Sequence, residues 1–345
     1  MDKIIGHTNL GYECINFEGL DQVGKGDAVK ELSSEISQLG YDTSVISFPY
    51  YATPLGFCIR DILVNGVPDD IEMNKSREVE VKMCLFALNR LEIFNCILCD
   101  KKHDVYVFDR GPFSCALTIG YHIFQNKEDI DKKEYLVDRG LYVDSYFREV
   151  LNVDNCVIYL KHKDIRWEES RGKEGSDLYE RSEVQDISAD VYSIFSKKIG
   201  DGWRDVVTKD EKGWRSREDI KNECLEVSRE RGVLKDLEKK NRNGEVSYLG
   251  IDEIQRFLYK GSRVDSSLIS DWMAAIQCND KKEVYRVSEL VSDSLVKTTG
   301  AITWYDCNIV NRVNDLISEF PEILGIIDYK YGKEFLDKFK DSLSE

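Results

Sequence analysis

Short apolar runs alternate with longer amphipathic segments along about the first two thirds of the chain. The apolar runs predict strands at 13–17, 43–48, 104–108, 156–161 and 205–208. The segments between them carry apolar residues at helical spacing and predict helices near 26–39, 74–99, 113–124, 131–151, 178–198 and 216–231. Strands and helices that alternate in this way are typical of a parallel sheet with helices on both faces. The predicted fold class is therefore α/β.

The pattern changes near residue 235. The polar stretch 239–244 predicts a linker. Beyond it, only helical spacing is apparent, near 251–259, 265–277, 283–298, 304–319 and 331–343. We therefore expect one domain over residues 1–234 and a separate, all-helical region over residues 235–345, to which the sequence assigns no role.

Composition restricts the classes of partner. A chain of 345 residues with 42% hydrophobic residues is long enough to form a sizeable core. Its net charge of −16 argues against a broad surface for nucleic acid or membranes. No apolar stretch has the length of a membrane span, and no signal peptide is expected at the N-terminus. Ten scattered cysteines, with one CxxC (Cys96 and Cys99) that we interpret as buried helix residues, fit a reducing compartment, so we expect a cytoplasmic protein.

A glycine-rich segment joins the first predicted strand to the first predicted helix. It reads Phe17-Glu18-Gly19-Leu20-Asp21-Gln22-Val23-Gly24-Lys25-Gly26. In a strand–turn–helix context this pattern predicts a phosphate-binding P-loop, in which backbone N–H groups and the lysine contact phosphate oxygens. The Ser or Thr that usually follows the lysine and binds Mg²⁺ is Gly26 here, followed by Asp27.

The ends of the next two strands carry further candidates, because ligands of open α/β sheets bind beyond the carboxyl ends of the strands. Phe48-Pro49 follows the second strand, and the Pro residues up to Gly56 predict a shaped loop that opens a helix. Asp109-Arg110 follows the third strand. An aspartate there can hold a Mg²⁺-bound water, and an arginine can bind a phosphate in bidentate fashion.

The predicted helix near 74–99 carries an aromatic ring and a cation on one face. Phe86 and Arg90 are four residues apart, so they lie one turn from each other. This pair is able to stack on a nucleobase and hydrogen-bond to it. On its own, a helical phenylalanine is more often a core residue.

A basic segment at 163–181 is the last candidate. It contains Arg166, Arg171, Lys173 and Arg181 with two glycines between them. Cations on a glycine-containing loop can act as a lid that neutralises a transferring phosphoryl group. A solvated charged surface is the other interpretation.

Together, five segments resemble thymidylate kinases in their order and spacing, over roughly residues 12–232. They are Phe17-Glu18-Gly19-Leu20-Asp21…Gly24-Lys25, Phe48-Pro49…Thr53-Pro54-Leu55-Gly56, Leu85-Phe86-Ala87…Asn89-Arg90, Asp109-Arg110…Phe113-Ser114 and Arg171-Gly172…Tyr179-Glu180…Val184-Gln185. The resemblance implies a P-loop nucleoside monophosphate kinase with a five-stranded parallel sheet. It also implies transfer of a phosphoryl group from ATP to dTMP in the presence of Mg²⁺.

The resemblance further implies roles for individual residues. The catalytic residues would be Lys25, Asp109, Arg110 and Arg171, with Arg166 or Lys173 as candidates to assist Arg171. ATP would be bound by Gly19, Gln22, Val23, Gly24, Lys25, Gly26 and Asp27. The acceptor would be bound by Asp21, Phe48, Tyr51, Phe86, Arg90, Arg110, Ser114 and Tyr179. The metal would be held by Asp109 through water, with Asp27 as a second candidate. Its partners would be small nucleotides, and the family is commonly homodimeric.

The sequence departs from the family pattern at three positions. Gly26 replaces the Ser or Thr, Tyr51 stands where an arginine for the acceptor phosphate is usual, and Gly111 stands where Tyr or His is usual. Two alternatives stay open. One is a phosphotransferase on the same fold that uses polyphosphate or another nucleotide. The other is a nucleotide-binding regulatory protein without turnover.

Overall fold

A mostly parallel sheet organises the molecule. The computed structural model describes residues 13–100, 103–163, 179, 181–234, 244–260, 262–278, 280–298 and 302–344. Its strands are β1 (Glu13–Gly19), β2 (Thr43–Ser47), β3 (Val105–Asp109), β4 (Val157–His162), β5 (Trp203–Asp210), β6 (Gly213–Trp214) and β7 (Val246–Tyr248). They form one sheet in the order β6-β5-β4-β1-β3-β2-β7, in which β6 is antiparallel to β5 and the other pairs are parallel. The predicted α/β fold class is confirmed.

Helices cover the sheet and form most of the C-terminal region. Up to residue 234 they are α1 (Lys25–Gln38), α2 (Pro54–Asn65), α3 (Lys75–Asp100), α4 (Cys115–Gln125), α5 (Lys133–Val143), α6 (Ser145–Leu151), α7 (Ser182–Ile199) and α8 (Arg217–Glu230). Beyond it they are α9 (Ile251–Phe257), α10 (Ser266–Gln277), α11 (Lys281–Thr298), α12 (Cys307–Glu319), α13 (Glu322–Tyr331) and α14 (Lys333–Ser342). The one helix predicted at 131–151 is the pair α5 and α6, which meet at Asp144.

Two expectations about the strands are wrong. The sheet has seven strands instead of five, because β6 forms a short hairpin with β5 and β7 is added at the other edge. The C-terminal region is therefore not all-helical. Val246–Tyr248 pairs with β2, where Thr43 lies opposite Val246. A strand of three residues is too short to show period-two alternation, so this one depends on the neighbouring strand's free edge.

Local sequence sets the helix ends next to the sheet. Thr53 is the N-cap of α2, since its hydroxyl accepts a hydrogen bond from the Gly56 N–H at 3.2 Å, and Pro54 occupies the first helical position. Ser216 caps α8 in the same way through the Asp219 N–H at 3.0 Å. These caps fix where the chain turns from each loop into a helix.

The core has two layers, one on each face of the sheet. Alternate strand residues enter different layers, as period two requires: Val105 and Val107 pack with α1 and α8, whereas Tyr106 and Phe108 pack on the opposite face. That second layer also holds the buried residues of the C-terminal region, from Leu249 onwards. This shared core shows that the region is not a separate packing unit in the described chain. The boundary at residue 234 stays a prediction.

Polar contacts also attach the C-terminal region to the rest of the molecule. Arg77 of α3 forms an ion pair with Glu322 at 2.7 Å. Asn95 donates to the Thr303 carbonyl at 2.8 Å and accepts from the Tyr305 N–H at 2.8 Å. Of the linker predicted at 239–244, the structure describes only Gly244. Within the described residues, no helix combines the length and apolar character needed to cross a membrane.

Candidate functional site

The sheet brings three predicted strand ends to one edge. In the register, Phe17 of β1 lies beside Asp109 of β3, and Asp109 lies beside Ser47 of β2. The chain passes from β1 to β2 on one side of β1, and later from β3 to β4 on its other side, so the strand order reverses at β1. Open α/β sheets bind ligands at such a point.

The glycine-rich loop turns tightly from β1 into α1. Gly19 has φ +150°, and a Cβ there would lie 2.7 Å from the carbonyl oxygen of Leu160 on β4. Gly24, with φ +86°, is the N-cap of α1 and has no side chain to cap it. Gly24 therefore supplies no side-chain cap to the first N–H groups of α1, as a phosphate site requires.

Lys25 lies at the inner end of this loop, beside the carboxyl end of β3. Its Nζ is 4.0 Å from a carboxylate oxygen of Asp109, and the side chains are 9% and 25% exposed, respectively. Burial, followed by the nearby charge of Arg110, lowers the pKa of Lys25 to about 8. A phosphate group next to Lys25 would stabilise its charged form.

Arg110 lies in the left-handed region with φ +70°, which is unusual for a residue that has a Cβ. Its N–H donates to the Phe17 carbonyl at 2.9 Å, and its guanidinium contacts the carboxylate of Asp21. Burial alone would lower the pKa of Arg110, but the carboxylate of Asp21 helps to raise it overall. Gln185 holds Asp21 in turn, accepting from its N–H and donating to its carboxylate, both at 2.9 Å.

Glu18 lies beneath the turn that follows Arg110, and sequence reasoning missed it. It is fully buried and accepts hydrogen bonds from the Gly111 N–H at 2.9 Å, the Ser114 hydroxyl at 2.6 Å and the Asn16 amide at 3.1 Å. Burial raises the pKa of Glu18. Ser114, a predicted acceptor residue, thus directs its hydroxyl proton at Glu18 and not into the cleft.

A cleft of about 520 Å³ opens at this edge of the sheet. All eight predicted acceptor residues line it: Asp21, Phe48, Tyr51, Phe86, Arg90, Arg110, Ser114 and Tyr179. Gly26, Asp27 and Asp109 line it as well. The structure thus brings together residues from all five predicted segments, which are far apart in the sequence.

Arg90 enters the cleft from α3 but is already paired. Its Nε and Nη2 donate to the two carboxylate oxygens of Asp144 at 2.7 and 2.5 Å, and the side chains are only 2% and 1% exposed. Its Nη1 lies 3.4 Å from the Gly111 carbonyl oxygen. A hydrogen bond from Arg90 to a nucleobase stays a prediction, and the contact with Asp144 would hold the guanidinium in position for it.

The aromatic acceptor residues differ in their surroundings. Phe48 is buried, with its ring centroid 5.7 Å from that of Phe108, so most of it belongs to the core. Phe86 is partly exposed at the cleft. Tyr51 packs edge to face on Tyr285 of α11, with centroids 5.2 Å apart. The position where the resemblance implies an arginine therefore contacts the C-terminal region.

The other residues predicted to bind ATP belong to the same loop. The Val23 side chain is buried, so only its backbone is available to a ligand, and Gln22 has φ +64°. Asp27 forms an ion pair with Arg217 at 3.0 Å. A second cavity, of about 250 Å³, lies between Asp27, Gly24 and the exposed ring of Trp214.

Asp109 is the better placed of the two candidate metal ligands, since Asp27 is directed at Arg217. In the part of the chain that the structure describes, no cluster of three or more His, Cys, Asp or Glu side chains could hold a metal by itself. Mg²⁺ bound to nucleotide phosphates needs only one or two protein carboxylates, so this donor set fits it. The predicted lid residues Arg166, Arg171 and Lys173 lie outside the described residues.

Comparison with solved structures gives distant similarities, one of which is described here. The crystal structure of a thymidylate kinase from Ehrlichia chaffeensis aligns over 63% of this chain and 98% of its own, with 17% sequence identity and a TM-score of 0.41. The sequence matches no protein-family model, and it matches no curated protein. A similarity at this level assigns no function to the chain.

Proposed function

We propose that the chain is a nucleoside monophosphate kinase that transfers the γ-phosphoryl group of ATP to dTMP. The observation that supports the proposal is that residues of the predicted phosphate-binding loop and the eight predicted acceptor residues line one cleft. Asp109 connects the two, because its carboxylate lines the cleft and lies 4.0 Å from Nζ of Lys25. The donor and acceptor phosphates would therefore meet between Lys25 and Arg110.

The donor phosphates would be bound by the loop. The N-terminal N–H groups of α1 follow a glycine N-cap that has no side chain, and the helix dipole adds positive potential there. Lys25 would contribute a full charge from a nearly buried position, where electrostatic attraction is stronger than in water. Together they would orient the ATP phosphates toward the cleft.

The acceptor phosphate would be bound by Arg110. Asp21 and Gln185 hold this guanidinium from one side, and its left-handed backbone directs it back over the loop. Transfer would be a direct in-line attack by an acceptor phosphate oxygen, with no covalent enzyme intermediate. Catalysis of this kind depends on positioning and on neutralising charge.

A divalent metal fits the site through Asp109. Gly26 has no hydroxyl, so Mg²⁺ would be held by the Asp109 carboxylate, directly or through water, together with phosphate oxygens. When bound, the ion would neutralise phosphate charge during transfer. Lys25 and Arg110 would provide the neutralisation that comes from the protein.

The test is an assay coupled to ADP release, with ATP and Mg²⁺ as donor and dTMP, dUMP, dCMP, dGMP and UMP as acceptors. We expect turnover that favours dTMP. Lys25→Met should lower kcat/KM by about 100-fold, since it removes a preorganised charge from the phosphate site. Lys340→Met, which changes an exposed lysine of α14, is the matched control and should match the wild type.

The other outcomes separate the alternatives. Turnover with polyphosphate but not with ATP would identify polyphosphate as the phosphoryl donor and would leave the in-line mechanism unchanged. Nucleotide binding without turnover for any acceptor would favour the regulatory interpretation. A folded protein that binds no nucleotide at all would refute the proposal.

A further inference from the structure

The C-terminal region forms one wall of the cleft. The cleft-lining residues from this region are Tyr248, Leu249, Trp272, Ile276, Cys278, Val284 and Tyr285. All seven are uncharged, and three are aromatic. The cations that line the cleft in the described chain are Lys30, Arg90 and Arg110, and all three precede residue 235. The cleft therefore has a charged side and an uncharged, aromatic side.

Two aromatic pairs join this wall to the loop from Phe48 to Gly56, which we call the Phe-Pro loop. The Tyr50 ring lies 5.3 Å from that of Trp272, and the Tyr51 ring lies 5.2 Å from that of Tyr285, centroid to centroid. Contacts at these distances stabilise both partners beyond their buried area. The loop predicted to bind the acceptor is thus in direct contact with α10 and α11.

The wall is fixed by buried hydrogen bonds and not only by ring contacts. The Tyr50 hydroxyl donates to the Leu249 carbonyl at 2.9 Å. The Tyr259 hydroxyl donates to Glu92 of α3, which also accepts from the Thr53 hydroxyl at 2.7 Å. Since both networks reach the Phe-Pro loop, movement of the wall would move the loop with it.

We propose that the C-terminal region is part of the acceptor site, and that Trp272 and Tyr285 form the wall on which the nucleobase of the acceptor packs. This inference rests on the proposed function, because it takes the acceptor to be a nucleoside monophosphate. A planar, uncharged base gains from aromatic and apolar surroundings. The Arg60 guanidinium lies 4.9 Å from the Tyr285 ring centroid, but Arg60 is not among the residues that line the cleft. The base lies toward the wall, and the phosphate lies toward Arg110.

The test compares wall variants of the full-length protein. Tyr285→Ala should raise the acceptor KM by about tenfold and leave the KM for ATP unchanged, since base stacking is lost on the acceptor side only. Trp272→Phe retains an aromatic ring but enlarges the cleft, so kcat/KM for dGMP should rise relative to that for dTMP. Trp304→Phe is the matched control, because Trp304 donates to Ser342 at 3.1 Å and does not line the cleft. Far-UV circular dichroism shows which variants fold.

Binding measurements keep the inference separate from the kinase proposal. If no acceptor turns over, calorimetric titration with the same five monophosphates tests the aromatic wall through binding alone. Binding that is about tenfold weaker in Tyr285→Ala and unchanged in Trp304→Phe would support the wall even though the kinase proposal fails. If folded Tyr285→Ala and Trp272→Phe match the wild type for every monophosphate, or if the wild type binds none of them, the inference is wrong.

Discussion

Removing the carboxylate that faces Arg90 should be among the most destabilising single changes in this protein. Asp144 lies where α5 meets α6, and it receives two hydrogen bonds from the guanidinium at 2.7 and 2.5 Å. Both side chains are almost completely buried. Asp144→Asn keeps the shape of the side chain and removes only its charge.

The magnitude follows from this burial. Breaking a buried ion pair by neutralising one partner costs about 3–5 kcal/mol, because the other charge stays out of water without compensation. The matched control is Glu230→Gln, which breaks an ion pair with Arg204 at 2.7 Å between side chains that are 48% and 46% exposed. An exposed pair contributes about 0–1 kcal/mol, so the two variants should differ by about 3 kcal/mol.

The assay is urea unfolding followed by far-UV circular dichroism, with free energies of unfolding obtained by linear extrapolation. The double variant Arg90→Met/Asp144→Leu removes both charges and should recover much of the stability lost by Asp144→Asn, because no unpaired charge remains. If Asp144→Asn costs no more than Glu230→Gln, then the pair is not buried in the folded protein and the reasoning fails.

Three further predictions concern Gly111, Lys25 and Glu92. Gly111→Ala should lower the free energy of unfolding by about 1–3 kcal/mol, since a Cβ would lie 2.2 Å from Oδ1 of the buried Asn16. The control Gly325→Ala should not destabilise the protein, because its Cβ would meet its nearest neighbour at 3.6 Å. Urea unfolding compares the two variants. ATP affinity, measured by calorimetry, should fall as the pH rises through about 8, where Lys25 loses its charge, and Lys25→Met should bind weakly at every pH. Burial raises the pKa of Glu92 from 4.5 to about 7, so the folded state binds more protons than the unfolded state in that range and stability should fall as the pH rises from 4.5 to 7. Glu92→Gln should flatten this dependence in unfolding experiments at pH 5 and 8, and an unchanged slope would contradict the assignment.

The sequence predicts the elements that carry a long periodic signal. The five longer strands and most helices lie where their apolar spacing indicates, with ends that differ by a few residues. Short elements are not predicted, because tertiary contacts are needed to form them. Strand β7, for example, depends on the edge of β2. Helix α13 is also missed, since Gly325 in its interior and Gly332 at its end weaken the local helical signal.

The residues of the candidate site also form two groups, one that the local sequence predicts and one that it does not. The loop at Gly19–Lys25 and the pair Asp109-Arg110 can be recognised from their position directly after a strand, which is a local property. The partners that orient them cannot be recognised locally. Asp21 and Gln185 are 164 positions apart, and Arg90 and Asp144 are 54 apart. The aromatic wall is even harder to predict from the sequence, because its residues have the spacing of ordinary amphipathic helices.

Two of the three departures from the thymidylate kinase pattern have a specific neighbour in the structure. Gly111 leaves room for Asn16, whose Oδ1 occupies the space next to it, and a side chain at 111 would need a different residue at 16. Tyr51 packs on Tyr285, whose ring already has the Arg60 guanidinium 4.9 Å from its centroid, so an arginine at position 51 would bring a second positive charge to this ring. A site that had simply collapsed would have filled its own volume, yet about 520 Å³ stays open beside the P-loop. Under the proposed function, these departures favour a repacked acceptor site over a lost one, and the identity of the acceptor would be the property that the C-terminal region is best placed to change.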